Sequence, residues 1–173
     1  VVFAKLYFAA MVDWQRNRNR TARSWLPLFQ SRKKPGIMRV QFAIAGMNAH
    51  INHDLPIALV ETAKESALPP RCGTAEHRDF KRVNSILETV EEKVKPYIAT
   101  GIAGVVDQQL GQIDDMLAMW NIGKARDTAW SNSEILWQLR LLPIASVSDD
   151  FLLNLDRLVG LASRGLLVPA GLT

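Results

Sequence analysis

Cysteine is nearly absent from this chain, which contains one, Cys72, in 173 residues. A single cysteine excludes an internal disulfide and any cysteine-rich zinc cluster. Cys72 follows Pro69-Pro70 and precedes Gly73, a composition that predicts a loop. We therefore expect a free thiol at the surface rather than a catalytic nucleophile.

Long apolar runs are missing too. No stretch approaches the roughly 20 apolar residues needed to cross a bilayer. The apolar segment 1–12 is short, Lys5 interrupts it, and it lacks the basic start and cleavage site of a signal peptide. These absences predict a cytoplasmic protein with no transmembrane segment. Because the chain begins without methionine and inside a predicted helix, we expect a leading segment before Val1.

Strand patterns and internal repeats are also lacking, whereas apolar residues recur at helical spacing. Predicted helices cover approximately 1–15, 37–66, 75–95, 97–120, 124–141 and 148–163. Pro96 is expected in the first turn of a new helix, and Ser148 as the cap of the last one. The sequence predicts an all-α fold, with residues 1–173 forming a single-domain helical bundle.

Positive charge is abundant but local. The net charge is +4, and basic residues crowd the first forty positions: Arg16, Arg18, Arg20, Arg23, Arg32, Lys33, Lys34 and Arg39. Such a cluster is one mark of nucleic-acid binding. Since no nucleic-acid motif accompanies it, we expect a solvated basic face and no nucleic-acid partner. Attraction of an anionic substrate or a membrane surface is left open.

The segment 46–56 (GMNAHINHDLP) is the most unusual part of the chain. It holds two of the three histidines, a carboxylate and two amides among apolar residues. The apolar residues of the predicted helix lie on nearly all of its faces, which is typical of a helix buried in protein. Pro56 has no N–H to bond the carbonyl of Asn52, so a kink is expected there. The sequence thus predicts a buried, Pro-kinked central helix.

A metal site is the first interpretation of this segment. His50, His53, Asp54 and Glu61 fall in one sector of the helix, and the first three are neighbours at i, i+3 and i, i+4 spacing. Two imidazoles and a carboxylate are ligands typical of zinc and non-haem iron(II) enzymes. We predict a metal-dependent hydrolase or oxidoreductase, with Glu61 or a residue of the 97–120 helix, such as Asp107 or Asp114, completing the metal shell.

Two alternatives remain open. The same side chains can form a buried polar network in a non-catalytic binding or scaffold domain, since buried polar groups need partners. They can also form a metal-free acid/base site of an isomerase or cyclase, with a histidine as general base.

A small-molecule ligand is expected in each enzymatic interpretation. Arg126 is the fourth predicted catalytic residue, besides the two histidines and Asp54, and it is expected either to pair with Asp54 or Glu61 or to bind an anionic substrate. The predicted substrate pocket is lined by Asn48, Asn52, Trp130 and Asn132. The oligomeric state is left open.

Several phrases of the sequence occur together: VFAKLYF (2–8), QFAIAGMNAHINHDLP (41–56), MW (119–120), ARDTAW (125–130) and GLLVP (165–169). In this combination the chain resembles a microbial family catalogued as domain of unknown function 5995. The resemblance covers nearly the whole chain, and 46–56 is its most specific part. It implies an all-helical intracellular bacterial protein, and it implies no activity.

Overall fold

The computed structural model describes residues 2–100 and 121–169. Its elements, in chain order, are α1 (Val2–Arg16), a 3₁₀ turn (Arg18–Arg20), α2 (Leu26–Ser31), α3 (Arg39–Ala49), a π-helical turn (His50–Asp54), α4 (Leu55–Ser66), α5 (Ala75–Thr100), α6 (Ile122–Leu141) and α7 (Ala145–Leu166). No residue of the described ranges lies in a strand. The predicted all-α, single-domain fold is confirmed.

Helices α3 and α4, joined by the π-helical turn, form the centre of the bundle. Helix α3 packs on α2 and α7, α4 packs on α1 and α6, and the turn between them contacts α1, α6 and α7. Buried residues follow one another along this segment, among them Ile44, Ala49, Leu55 and Val60. Because neighbours cover it on several sides, its apolar residues are distributed around the helix rather than along one stripe.

The histidine segment is wound as a π-helix. The N–H of Leu55 donates to the carbonyl of His50, one residue further back than in an α-helix. Pro56 follows immediately, and a proline removes a donor and crowds the carbonyl four residues before it. A wider turn at this point relieves that crowding. The irregularity expected beside the histidines is therefore present as a π-helical turn, while a kink of the helix axis stays a prediction.

Two apolar clusters flank this turn. One contains Ile51, Leu55, Phe80, Ala129 and Trp130, with Phe3 packed against it. The other contains Ala10, Trp25, Phe29 and Ala49. Since the turn contributes to one cluster and the end of α3 to the other, the polar side chains between them are held by apolar packing on both sides.

Helix α7 approaches the chain before α2 very closely. A Cβ placed on Gly160 would lie 2.3 Å from the carbonyl oxygen of Arg23. That separation is far below van der Waals contact, so only glycine permits this approach. The contact brings α7 against residues 23–24, which matters for the site described below.

Two predicted helix ends are wrong. Helix α5 continues through Pro96 to Thr100, so Pro96 does not begin a new helix; the remainder of the predicted 97–120 helix, with Asp107 and Asp114, lies outside the described residues. Helix α7 begins at Ala145, after an extended Ile144, and Ser148 lies inside it. The Ser148 hydroxyl donates to the carbonyl of Ala145, so it bonds backward along the helix instead of capping it.

None of the described helices is long and apolar enough to span a membrane.

Candidate functional site at the π-helical turn

Asp54 is the centre of a buried polar network. Its carboxylate is almost completely buried and accepts from three side chains. The indole N–H of Trp25 and Nδ1 of His50 lie 3.1 and 3.0 Å from Oδ2, and Nδ1 of His53 lies 2.7 Å from Oδ1. Both carboxylate oxygens are thus satisfied, as a buried acid requires.

The charge of Asp54 follows from these contacts. Burial by itself raises the pKa of this carboxyl, but the hydrogen bonds and charges of His50 and His53 outweigh it, and the pKa lies below its ordinary value of 3.8. An ionised Asp54 can only accept, so both imidazoles donate to it through Nδ1–H.

The network continues from His53 to α7. Nε2 of His53 lies 3.5 Å from Oδ1 of Asp156. The two oxygens of Asp156 accept the backbone N–H groups of Arg23 and Ser24, each at 2.8 Å. The π-helical turn, the segment before α2 and helix α7 are therefore connected by one chain of carboxylates and imidazoles.

His50 lies among aromatic rings. The Phe3 ring stacks on it with centroids 3.7 Å apart and planes 8° apart. The rings of Tyr7 and Trp25 approach it at 6.0 and 6.1 Å. About a quarter of the His50 side chain (27%) is still exposed, and no described residue bonds its Nε2. This nitrogen is the accessible end of the Asp54–His50 pair.

The predicted metal site is wrong. Residues 2–100 and 121–169 contain no group of three or more His, Cys, Asp or Glu side chains able to hold a metal ion. The physical reason is that both Nδ1 atoms bond the oxygens of Asp54. Nε2 of His53 faces Asp156, so the two imidazoles do not point at a common position that one metal ion could occupy. The prediction of a metal-dependent enzyme built on His50, His53, Asp54 and Glu61 falls with this finding.

Glu61 belongs to a different contact. Its Oε1 accepts from Arg140 at 2.6 Å and from Lys64 at 3.3 Å. Burial of the carboxyl raises its pKa and the hydrogen bonds and charges of Arg140 and Lys64 lower it, with a net lowering. Glu61 therefore ties α4 to α6.

Arg126 does not pair with Asp54 or Glu61, which was one of the two roles expected for it. It is buried, its Nε donates to Oδ1 of Asn84 at 2.6 Å, and its guanidinium lies 4.2 Å from the centre of the Phe80 ring. Burial lowers its pKa, opposed by the charge of Asp127. These contacts place Arg126 between α5 and α6, and a catalytic role for it stays a prediction.

The predicted pocket residues are dispersed. The amide of Asn48 donates to the carbonyl of Val159 and the hydroxyl of Ser163, and its oxygen accepts from Asn52. Asn48 and Asn52 thus tie α3 and the π-helical turn to α7. Asn132 is half-buried on α6.

Trp130, in contrast, lines a cavity of about 290 Å³ between α1, α4, α5 and α6. The described lining is mostly apolar and includes Phe3, Leu55, Leu59 and Phe80, with Thr62, Ser66 and Glu76 as polar members. The indole N–H of Trp130 is buried and has no partner among the described residues. Phe3 connects the cavity to the polar network, because it lines the one and stacks on His50 of the other.

Two members of the network were not predicted, namely Trp25 and Asp156. A signal for Asp156 exists in the sequence, because this acid interrupts the stripe formed by Leu152, Leu155 and Val159 on the last helix. For Trp25 we see no comparable signal, since an indole near a turn is equally explained by packing.

Comparison with known proteins gives a family and no activity. No match was found to a curated protein. No match was found to a solved structure either. A family model does match residues 1–169, and the chain belongs to the Family of unknown function (DUF5995).

Proposed function

We propose that this chain is a helical binding domain for a small, largely apolar molecule that carries a neutral hydrogen-bond acceptor. The observation that carries the proposal is that Trp130 lines an apolar cavity of about 290 Å³ and has a buried indole N–H without a described partner. Ligand sites are typically apolar cavities with a few placed polar groups. A carbonyl oxygen would satisfy the indole donor, and Glu76 at the same cavity disfavours a carboxylate.

In this proposal the polar network is structural. Asp54 is satisfied by three donors and Asp156 by two backbone N–H groups. Each of these bonds joins elements that are distant in sequence or fixes the turn itself. Such a network holds the π-helical turn in position, and Leu55 immediately after it lines the cavity.

The test compares acetophenone with ethylbenzene, which has similar shape and no acceptor. Titration calorimetry on the wild-type protein should show saturable binding of acetophenone. Its affinity should exceed that of ethylbenzene about fivefold or more, the value of one net hydrogen bond. Trp130→Phe keeps the ring and removes the donor, so it should abolish this preference. Trp137→Phe, on the same helix but away from this cavity, is the matched control. Absence of binding, or an unchanged preference in Trp130→Phe, contradicts the proposal.

A metal-free acid/base role for His50 is the second candidate function. It rests on the Nδ1–Asp54 bond of a partly exposed ring whose Nε2 bonds no described residue. A carboxylate that accepts from Nδ1–H fixes the tautomer of the ring, so Nε2 is left with its lone pair free to accept a proton. Saturable hydrolysis of p-nitrophenyl acetate that His50→Gln abolishes would support it. Equal rates in both proteins, with a lower melting temperature in His50→Gln, would leave the structural role.

Bacterial origin and a cytoplasmic location stay predictions.

A further inference from the structure

We propose that a basic groove at the α1–α2 end of the bundle binds a small oligophosphate anion. The groove consists of two adjoining concavities of about 440 and 700 Å³ that share Trp14, Arg18 and Gln30. It is separate from the apolar cavity and does not depend on the binding function proposed above. Its cationic lining residues come from four parts of the chain: Arg18, Arg23, Arg32, Lys33 and Arg164.

The charge of this groove is not compensated locally. No acidic residue is among the described residues that line it. None of its five cationic side chains forms an ion pair within residues 2–100 and 121–169. The carboxylate of Asp156 accepts the backbone N–H groups of Arg23 and Ser24 and is not among the residues that line the groove. A concave surface with several like charges concentrates anions from solution.

The sequence predicted a solvated basic face, and the structure shows that part of this face is a concave groove. The 3₁₀ turn carries Arg18, the segment after it carries Arg23, and the last turn of α7 carries Arg164. The close approach at Gly160 brings α7 to the carbonyl of Arg23, so cations separated in sequence by more than a hundred residues border one concavity.

A second observation points to a ligand. Thr21 lines the groove, only 5% of the residue is exposed, and its hydroxyl has no partner among the described residues. A buried hydroxyl without a partner is unfavourable, and native proteins rarely leave one. A phosphate oxygen accepts from a hydroxyl and from arginine at once, because guanidinium N–H groups match phosphate in a two-pronged geometry.

The arrangement favours a small oligophosphate over single-stranded nucleic acid. Sequence-independent binding of a single strand uses aromatic rings on which bases stack. Two aromatic residues line the groove, Trp14 and Phe29. Trp14 is already in contact with the Arg18 guanidinium at 4.5 Å and with the Phe29 ring at 5.6 Å, and Phe29 is buried. Five cations along two adjoining concavities suit an anion with several charges, such as the triphosphate of a nucleotide or inorganic tripolyphosphate.

The test is calorimetric titration of the wild-type protein with inorganic tripolyphosphate. We expect saturable binding with one anion per chain, weakened by added salt as contacts between charges require. Arg18→Gln and Arg164→Gln should each weaken binding about tenfold, the effect of one charge-assisted hydrogen bond. Arg71→Gln removes the same charge from a loop outside the groove and should leave the affinity unchanged.

Thr21→Val and Ser24→Ala form the decisive pair. Both residues have buried hydroxyls without described partners, but Thr21 is the one that lines the groove. Thr21→Val should weaken tripolyphosphate binding severalfold, whereas Ser24→Ala should not. Circular dichroism melts confirm that each variant is folded. If Thr21→Val fails to fold, Arg32→Gln replaces it, and the same severalfold loss of tripolyphosphate affinity is expected.

Further titrations distinguish between the molecules that could supply the phosphate groups. ATP binding as tightly as tripolyphosphate, or more tightly, supports the site and identifies a free or nucleotide-borne triphosphate. Failure of tripolyphosphate to bind saturably overturns the proposal. So does an equal loss in Arg71→Gln, which indicates unspecific charge attraction. Binding of anionic phosphatidylglycerol vesicles or of RNA that tripolyphosphate cannot displace overturns it in favour of those partners.

Discussion

Phe3 of helix α1 lies flat on the imidazole of His50, with 3.7 Å between ring centroids, and it also lines the apolar cavity. One side chain near the start of the chain therefore touches both the polar network and the cavity. This relationship means that the two candidate functions are physically coupled, since any ligand in the cavity shares a neighbour with His50.

Removal of the Phe3 ring should uncover His50. Phe3→Ala is expected to raise the rate at which diethyl pyrocarbonate modifies His50, because one face of the imidazole loses its cover. The lost stacking should cost about 1 kcal/mol of stability. Peptide mass spectrometry gives the rate at His50. Phe8→Ala, on the same helix but 59% exposed, is the control, and an equal rise there would contradict the arrangement.

Asp54→Asn should destabilise the fold by about 3 kcal/mol, the order expected when one partner of a buried charged network is lost. An amide cannot accept from Trp25, His50 and His53 in the way that two carboxylate oxygens do. Urea denaturation measures the free energy of unfolding. Asp79→Asn removes an exposed acid paired with Arg82 and should change stability by less than about 1 kcal/mol. Similar values for the two variants would show that the network is not structural.

The contribution of Asp54 should also depend on pH. Its pKa in the folded state lies below the ordinary 3.8 of the unfolded chain. The stabilisation is therefore complete above that ordinary value and disappears as the pH falls through the lowered folded-state pKa. The difference in unfolding free energy between wild type and Asp54→Asn should shrink over this acid range. A difference that stays constant through it would contradict the lowered pKa.

Gly160→Ala should destabilise the protein by about 2 kcal/mol, because the new methyl group meets the backbone carbonyl of Arg23 and overpacking of this kind is costly. Gly165→Ala on the same helix is the matched control. Nothing lies within 4 Å of its added Cβ, so the helix propensity of alanine should leave stability unchanged or raise it by up to about 1 kcal/mol. Thermal melts that rank the two variants in the opposite order would refute the close approach.

The helical architecture could be predicted from local pattern. Apolar spacing at 3.6 residues and the absence of alternating segments predicted an all-α bundle, and the distribution of apolar residues around 37–66 predicted its central element. Helix ends were less predictable. Pro96 and Ser148 are residues that favour helix starts, yet α5 continues past the first and α7 begins before the second. At Ser148, an intrinsic preference of about 1 kcal/mol at a cap is easily exceeded by packing. A proline inside a helix costs about 3 kcal/mol, and no described contact explains the continuation of α5 through Pro96.

Some residues of the site could be predicted from the sequence, but their chemical contacts could not. The sequence by itself determined that His50, His53 and Asp54 share one side of a helix, since their spacing fixes this. Only the tertiary structure decided what faces them. Trp25 and Asp156 are each brought in from a distant segment, Trp25 to donate to Asp54 and Asp156 to face His53. Both Nδ1 atoms are used on Asp54, and the imidazoles do not converge on a metal ion. Helical periodicity specifies neighbours three and four residues apart, whereas the partners across a helix interface depend on how the helices pack, which no local spacing encodes.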